Sequence, residues 1–249
     1  MNEMIQVKRE FRYWENRADR FENLYYIRRE GIEKLLCEAY LYLKNVKGCV
    51  VDVGCGTGIS TFIMEKELEK NVIGTDFSPS MLRKAKERIR YLVQADALHL
   101  TFPNNSFGAI ICLTVLTDYR DKNFFFHEFY SCLRKDGIYV HGDYSPNDAY
   151  WNLNESTYPL AYSSEFKLAR ESIEDLECKL VQEGFTVLKS RSIDFKVSMT
   201  VNDYVQIVKT RPGFKFNLEK ENQVRKIAEE YLSNDELDRE LIFIVSKKG

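Results

Sequence analysis

Residues 49–60 read CVVDVGCGTGIS, and residues 71–76 read NVIGTD. A β-branched run ending in Asp52, then Gly54, Gly56 and Gly58, then helix formers, predicts a strand turning tightly into a helix. Glycine falls where a side chain would keep a ligand from the backbone. The second apolar run ends in Asp76, at the spacing of about twenty residues from which a carboxylate reaches ribose hydroxyls. Together the two stretches outline a site for a nucleoside-bearing cofactor. A nicotinamide-binding turn would read Gly-x-Gly-x-x-Gly, but Ile59 stands at its third glycine and the glycine falls one residue early, at Gly58.

Three further segments follow in order: GTDFSPSML (74–82), VQADALHLTFPNNSFGAIICL (93–113) and LRKDGIYVHGD (133–143). With the glycine turn, they resemble the motifs of the class I S-adenosylmethionine-dependent methyltransferases, in the small-molecule branch similar to ubiquinone-biosynthesis-type enzymes. The resemblance covers residues 49–143. It implies a Rossmann-like α/β fold of seven strands, largely parallel, whose last two strands form an antiparallel hairpin at the sheet edge. It also implies S-adenosylmethionine as cofactor. Gly54, Cys55, Gly56 and Gly58 would then present backbone to it, and Asp52 would orient the methionyl amine through water. Asp76 would accept from the ribose hydroxyls and Asp96 from the adenine amino group, with the Ala97 amide on the ring. Phe77 and Met81 would pack on the adenine faces, while Cys112 and Leu113 would offer carbonyls to the amine. Tyr13 and Arg17 resemble an aromatic-basic pattern found near the methionyl carboxylate.

A chain of 249 residues fits one α/β domain with a modest cap. Lys and Arg total 36 against 38 Asp and Glu, and no long basic run appears, which argues against a nucleic-acid partner. The charged beginning MNEMIQVKREFRYWENR lacks the apolar core of a signal peptide, and no stretch of about twenty apolar residues occurs. A soluble, cytoplasmic protein without a membrane partner is expected, as monomer or homodimer. The six cysteines show no Cys-x-x-Cys spacing, so buried thiols are expected and no metal site.

Periodicity fills in the rest. Phe11, Trp14, Ala18, Phe21 and Tyr25 share one helix face, and Ile32, Leu35, Leu36, Ala39 and Leu43 another, giving a helical N-terminal lid over residues 1–45. The cofactor-binding core, 46–143, alternates strands at 49–53, 71–75, 91–94, 108–113 and 137–142 with helices at 58–69, 79–89 and 121–134. Ser172 opens a helix that Gly184 ends, and strands follow at 185–192 and 240–248. Residues 144–170, irregular and aromatic, and 193–238, with helices near 201–209 and 219–232, are cap and substrate-recognition segments within a single domain.

The acceptor side is defined by what it lacks. Many relatives carry a histidine pair after the fourth strand, whereas this chain reads LTDY, so Asp118 and Tyr119 face the reacting methyl there. His141, with Asp143, sits where ligands gather at the carboxyl ends of parallel strands and is a candidate base. The Asn/Asp-Pro-Pro-aromatic signature of amine-methylating DNA enzymes and the paired glutamates of arginine methyltransferases are absent. A small molecule or peptide is therefore the expected substrate, held by Arg28, Tyr144, Trp151, Tyr204 and Arg211. Arginine clamps a carboxylate through two parallel bonds, and a carboxylate needs no general base, which points to carboxyl O-methylation. Hydroxyl or amine methylation of a metabolite, a non-catalytic S-adenosylmethionine-binding protein and a nicotinamide-dependent reductase are the competing readings.

Overall fold

The structure, a computed structural model, describes residues 18–119, 121–161, 169–210, 217–232 and 234–249. After a short helix α1 (Ala18–Asn23) and a 3-10 turn (Tyr25–Ile27), helix α2 (Arg29–Leu43) leads into an alternating core. That core runs β1 (Cys49–Val53), α3 (Ile59–Leu68), β2 (Val72–Asp76), α4 (Pro79–Ala85), β3 (Tyr91–Gln94), β4 (Phe107–Leu113), α5 (Asn123–Cys132) and β5 (Leu133–Tyr144). Then come α6 (Ala149–Ala161), α7 (Ile173–Glu183), β6 (Phe185–Ser198), α8 (Val201–Lys209), α9 (Leu218–Tyr231) and β7 (Glu236–Lys248).

The seven strands lie in the order β3-β2-β1-β4-β5-β7-β6. Neighbours among β1 to β5 are parallel, and β7 runs antiparallel to both β5 and β6. Strand β4 is buried along its whole length, which is why FGAIICL shows no polar alternation. One apolar cluster joins α2, α6, α8 and α9 to one face of the sheet, and the other joins α5 and α7 to the opposite face.

Local chemistry sets the helix ends. Ser78 accepts the Met81 amide at 3.4 Å with Pro79 in the first turn, and Ser172 accepts the Asp175 amide at 3.1 Å. Thr200 and Asp203 form a reciprocal capping box at α8. Gly184 ends α7 in the left-handed conformation with φ 103°.

The structure corrects three boundaries. Helix α2 is chiefly a core layer, its Leu35 and Ala39 wholly buried against the sheet, so among the described residues before β1 only the stretch from Phe21 to Ile32 reaches the lining at the ligand end of the strands. Residues 149–161 of the irregular stretch form helix α6, opened by an Asp148 carboxylate that accepts the Trp151 amide at 3.0 Å. Its buried stripe, Tyr150, Leu153 and Thr157, was hidden by asparagines and by Pro159, residues of poor helix propensity. Strands β6 and β7 pair as far as Ser198 opposite Glu236, which confines the helical insertion to residues 199–235 rather than 193–238. The alternation of buried Ile193, Phe195 and Val197 with outward Asp194, Lys196 and Ser198 is the strand signal there.

Candidate active site

Strand order reverses direction beside β1: the chain steps from β1 outward to β2 and β3, then returns to lay β4 and β5 on its other side. Ligands of open α/β sheets sit in the crevice at such a switch point, beyond the carboxyl ends of the strands. A cleft of about 920 Å³, counting its open mouth, lies there. One wall is the loop Gly54–Thr57 with Ile59 and Ser60; Asp76, Phe77, Met81, Ala95 and Ala97 close one end. Phe21, Tyr25, Arg28 and Ile32 cover it, with Leu113, Thr114, Val115 and Tyr119 at the other end.

The glycine loop is shaped by close approach. Gly54 has φ 75°, and a Cβ placed on it would lie 2.3 Å from the Val115 Cγ2. Gly58 has φ 79° and packs against Ala85 of α4, so it shapes the loop from behind while staying out of the cleft lining. Cys55 contributes to the lining, but burial holds its thiol protonated, well above the usual thiol range. Asp76 closes the loop: its Oδ2 accepts the Gly56 amide at 2.9 Å and its Oδ1 the Ser78 amide at 2.8 Å. Burial pushes its pKa up to about 6, against the lowering effect of those two amides. Each oxygen keeps a lone pair for a further donor from the cleft.

Asp52 stands elsewhere. It is buried beneath the loop, its Oδ2 accepts the Thr61 hydroxyl at 2.6 Å, and it does not line the cleft. Burial raises its pKa to about 7 against the Thr61 bond, with the Asp76 charge adding to the rise. Asp52 thereby ties β1 to α3. Asp96 is not in the lining: its Oδ1 accepts the Leu98 amide at 3.0 Å, while its neighbours Ala95 and Ala97 form the lining. Of the β4 pair, Leu113 reaches the cleft and Cys112 is buried in the sheet beside His141.

His141 is corrected as a base. Its ring is fully buried, packs edge-on against Phe126 and shares a 3.0 Å hydrogen bond with the Tyr139 hydroxyl. Burial, with the Lys122 charge, depresses its pKa to about 3, so it stays neutral and away from the cleft. Asp143 is buried too, with Oδ1 accepting the Tyr144 amide at 2.9 Å. Tyr119 does line the cleft, while the side chains of Asp118, Tyr13, Arg17 and Arg211 lie outside the described residues. Among the expected acceptor contacts, Arg28 is in the lining. Tyr144 and Tyr204 are buried core residues, and Trp151 packs on Tyr144 with ring centroids 5.3 Å apart.

Sequence reasoning missed Thr57 and Lys122. The buried Thr57 Oγ1 lacks a hydrogen-bond partner among the described residues, and Thr57 follows Gly56 directly in the glycine turn, where its hydroxyl was readable as a ligand contact. Lys122 is buried, and its Nζ donates to the Tyr119 carbonyl at 3.1 Å while pairing with Glu171 at 3.1 Å. It therefore pins the loop after β4 from behind; a lysine within Arg120–Asn123 reads as solvated, so no sequence signal marked it.

These residues fit the implied cofactor in part. The loop leaves backbone open to a ligand, Asp76 keeps acceptor capacity, and Thr57, in the lining, has a buried hydroxyl without a partner among the described residues. Such a sheet with a glycine loop at its switch point and a reversed β7 is the fold of the class I methyltransferases, whose cofactor is S-adenosylmethionine. Comparison with known proteins makes the likeness more particular: residues 51–141 match the Methyltransferase domain family model.

The chain is 34% identical over 104 residues to 2-methyl-6-phytyl-1,4-hydroquinone methyltransferase of Synechocystis sp., covering 40% of this chain and 33% of that protein. It is 32% identical over 102 residues to phosphoethanolamine N-methyltransferase 1 of Arabidopsis thaliana, covering 38% and 21%. The chain thus spans a third or less of the length of these curated relatives. In fold it is similar to an S-adenosylmethionine-dependent methyltransferase of Thermotoga maritima, with a TM-score of 0.62, 16% identity and coverage of 96% and 100%. Among the described residues no helix is long and apolar enough to cross a membrane.

Proposed function

We propose that the chain transfers the methyl group of S-adenosylmethionine to a small molecule or peptide, with a carboxylate oxygen as the favoured acceptor. The observation that carries this reading is the composition of the cleft. Asp76 is its one acidic residue among the described lining, and no histidine or lysine joins it. Bound S-adenosylmethionine supplies a methyl already activated on a cationic sulfur, so the protein has to align an acceptor and exclude water.

Asp76 would hold the ribose hydroxyls, Phe77 and Met81 the adenine, and Thr57 a polar group beside the loop. Leu113, Thr114, Val115 and Tyr119 would position the acceptor, held in register by Lys122. Phe21 and Tyr25 would keep the reacting end dry. An acceptor that arrives ionised suits a cleft whose one acidic side chain in the described lining, Asp76, is given to the ribose end; a carboxylate meets that condition. Hydroxyl and amine methylation are the second reading, the amine supported by a relative named as an N-methyltransferase.

Isothermal titration with S-adenosylmethionine tests the cofactor; binding that Asp76→Ala leaves unchanged would count against the reading. A screen of carboxylic acids, phenols, amines and short peptides with labelled methyl donor tests the acceptor. A base-labile product is expected, and a base-stable one removes ester formation.

A further inference from the structure

We propose that Arg28 and Tyr25 form a subsite for an oxyanion on the acceptor, a carboxylate or phosphate monoester, at the β5 side of the cleft. The inference rests on the methyltransferase reading and gives the acceptor a chemical class. Arg28 lies against the Phe21 ring, 3.7 Å from its centroid, with the Tyr25 ring at 5.2 Å. One nitrogen donates to the Phe21 carbonyl at 3.2 Å, and no carboxylate among the described residues forms an ion pair with it.

Its charged neighbour is a second cation, Arg239, whose charge is already answered by Asp148 at 2.8 Å and which also donates to the Ile27 carbonyl. Arg28 thus lies against Phe21 and Tyr25 with no carboxylate of its own among the described residues, while Arg239, over Tyr144, Tyr150 and Phe195, is answered by Asp148. Arg28 is partly buried and Arg239 fully, and a charge drawn out of water is ordinarily paired, so an Arg28 without a carboxylate calls for an anion. Burial lowers the Arg28 pKa from its ordinary value, yet a guanidinium stays protonated.

Tyr25 is the independent second observation. Its hydroxyl is buried and has no hydrogen-bond partner among the described residues, although Tyr25 lines the same cleft. A planar guanidinium and a phenol hydroxyl in one wall suit an oxyanion's oxygens.

Position separates this anion from the ribose end. Tyr144, a neighbour of Arg28, ends β5, whereas Asp76 ends β2. With β1 and β4 between them, the two ends are three strand spacings apart, roughly 14 Å. An oxyanion at Arg28 would lie clear of the Asp76 charge and toward Leu113 and Tyr119.

The test uses the full chain saturated with S-adenosylhomocysteine, so that the donor's own carboxylate is already placed. Binding of inorganic phosphate is followed by phosphorus NMR line broadening, and of acetate by saturation transfer. Phosphate and acetate should bind, and R28Q should weaken them about 10- to 100-fold, the loss expected for charge-assisted hydrogen bonds. Y25F should show a smaller loss. R29Q should show none, because Arg29 is exposed and paired with Glu33. R28K, which keeps the charge without the fork, should retain part of the binding and serves if R28Q does not fold.

Equal anion binding by R28Q and wild type, or no anion binding by the wild-type complex, overturns the subsite. A loss of S-adenosylhomocysteine affinity in R28Q that matches the anion loss also overturns it, because the donor's carboxylate is then the anion. Failure of the wild type to bind S-adenosylhomocysteine at all would instead sink the methyltransferase reading.

Discussion

Asp76 makes the affinity for the cofactor's nucleoside half depend on pH in a way the structure sets. In the free protein its pKa is raised to about 6, chiefly by burial. Two ribose hydroxyls donating to it favour the ionised form, so binding requires deprotonation and affinity rises as pH passes upward through that value. The penalty is a factor of 1 + 10^(6 − pH), or ~11-fold at pH 5, equivalent to ~1.4 kcal/mol, and close to nothing at pH 7. The assay is isothermal titration from pH 5 to 7.5 with 5′-methylthioadenosine, which keeps adenine and ribose but lacks the titrating aminocarboxylate. Asp76→Asn should bind about 10- to 100-fold more weakly at pH 7.5, as loss of charge-assisted bonds implies, and should lose the pH dependence. Asp52→Asn should leave the midpoint near its wild-type value, because Asp52, with a pKa of about 7, is largely protonated while Asp76 titrates. A flat profile for the wild type, or the same slope in Asp76→Asn, would refute the assignment.

Three other outcomes follow from the same contacts. Asp52 has a folded pKa of about 7 against an ordinary 3.8, so its contribution to stability is complete below pH 3.8 and is lost as pH rises through 7. The loss is on the order of 4 kcal/mol, and Asp52→Asn should raise the urea midpoint at pH 8 but not at pH 4; equal midpoints at pH 8 would contradict a buried, costly carboxylate. Gly54→Ala should reduce S-adenosylhomocysteine affinity more than about tenfold through its overlap with Val115, and Val115→Ala should restore part of it in the double variant. Restoration should stay partial because φ of 75° strains any Cβ; no coupling between the two sites would discount the overlap. Arg239→Met should cost about 3–5 kcal/mol in denaturant unfolding by leaving Asp148 buried without its cation, and a change under 1 kcal/mol would show the pair to be dispensable.

The sheet was readable because each of its signals is local. Glycines with positive φ, a carboxylate at a strand end, a serine before a proline and a terminal glycine on α7 act within one turn of chain. The cap was less readable because its helices are defined by what they pack on. Residues 149–161 carry a buried stripe, yet Trp151, Asn152, Asn154 and Pro159 blur the periodicity that announces a helix. The long β6–β7 hairpin was cut short because its outer half alternates charge with apolar residues, a pattern easily taken for a polar insertion.

Within the site, the sequence determined which end of which strand would carry ligand chemistry: the turn at Gly54–Gly58, Asp76, and the loop after Leu113. It could not determine which way a side chain points in a strand buried on both faces. From Gly137 to Tyr144 every residue of β5 is buried, so no alternation assigns His141 to cleft or core, and only its packing on Phe126 and Tyr139 put it in the core. Asp52 and Asp96 were displaced for a related reason: a carboxylate binds the nearest donors, and the folded chain supplied Thr61 and the Leu98 amide. Tertiary structure alone likewise decided the fate of Arg28. Whether an arginine is solvated or left with an unanswered charge depends on Arg239 and Asp148, brought beside it from 211 and 120 residues away along the chain.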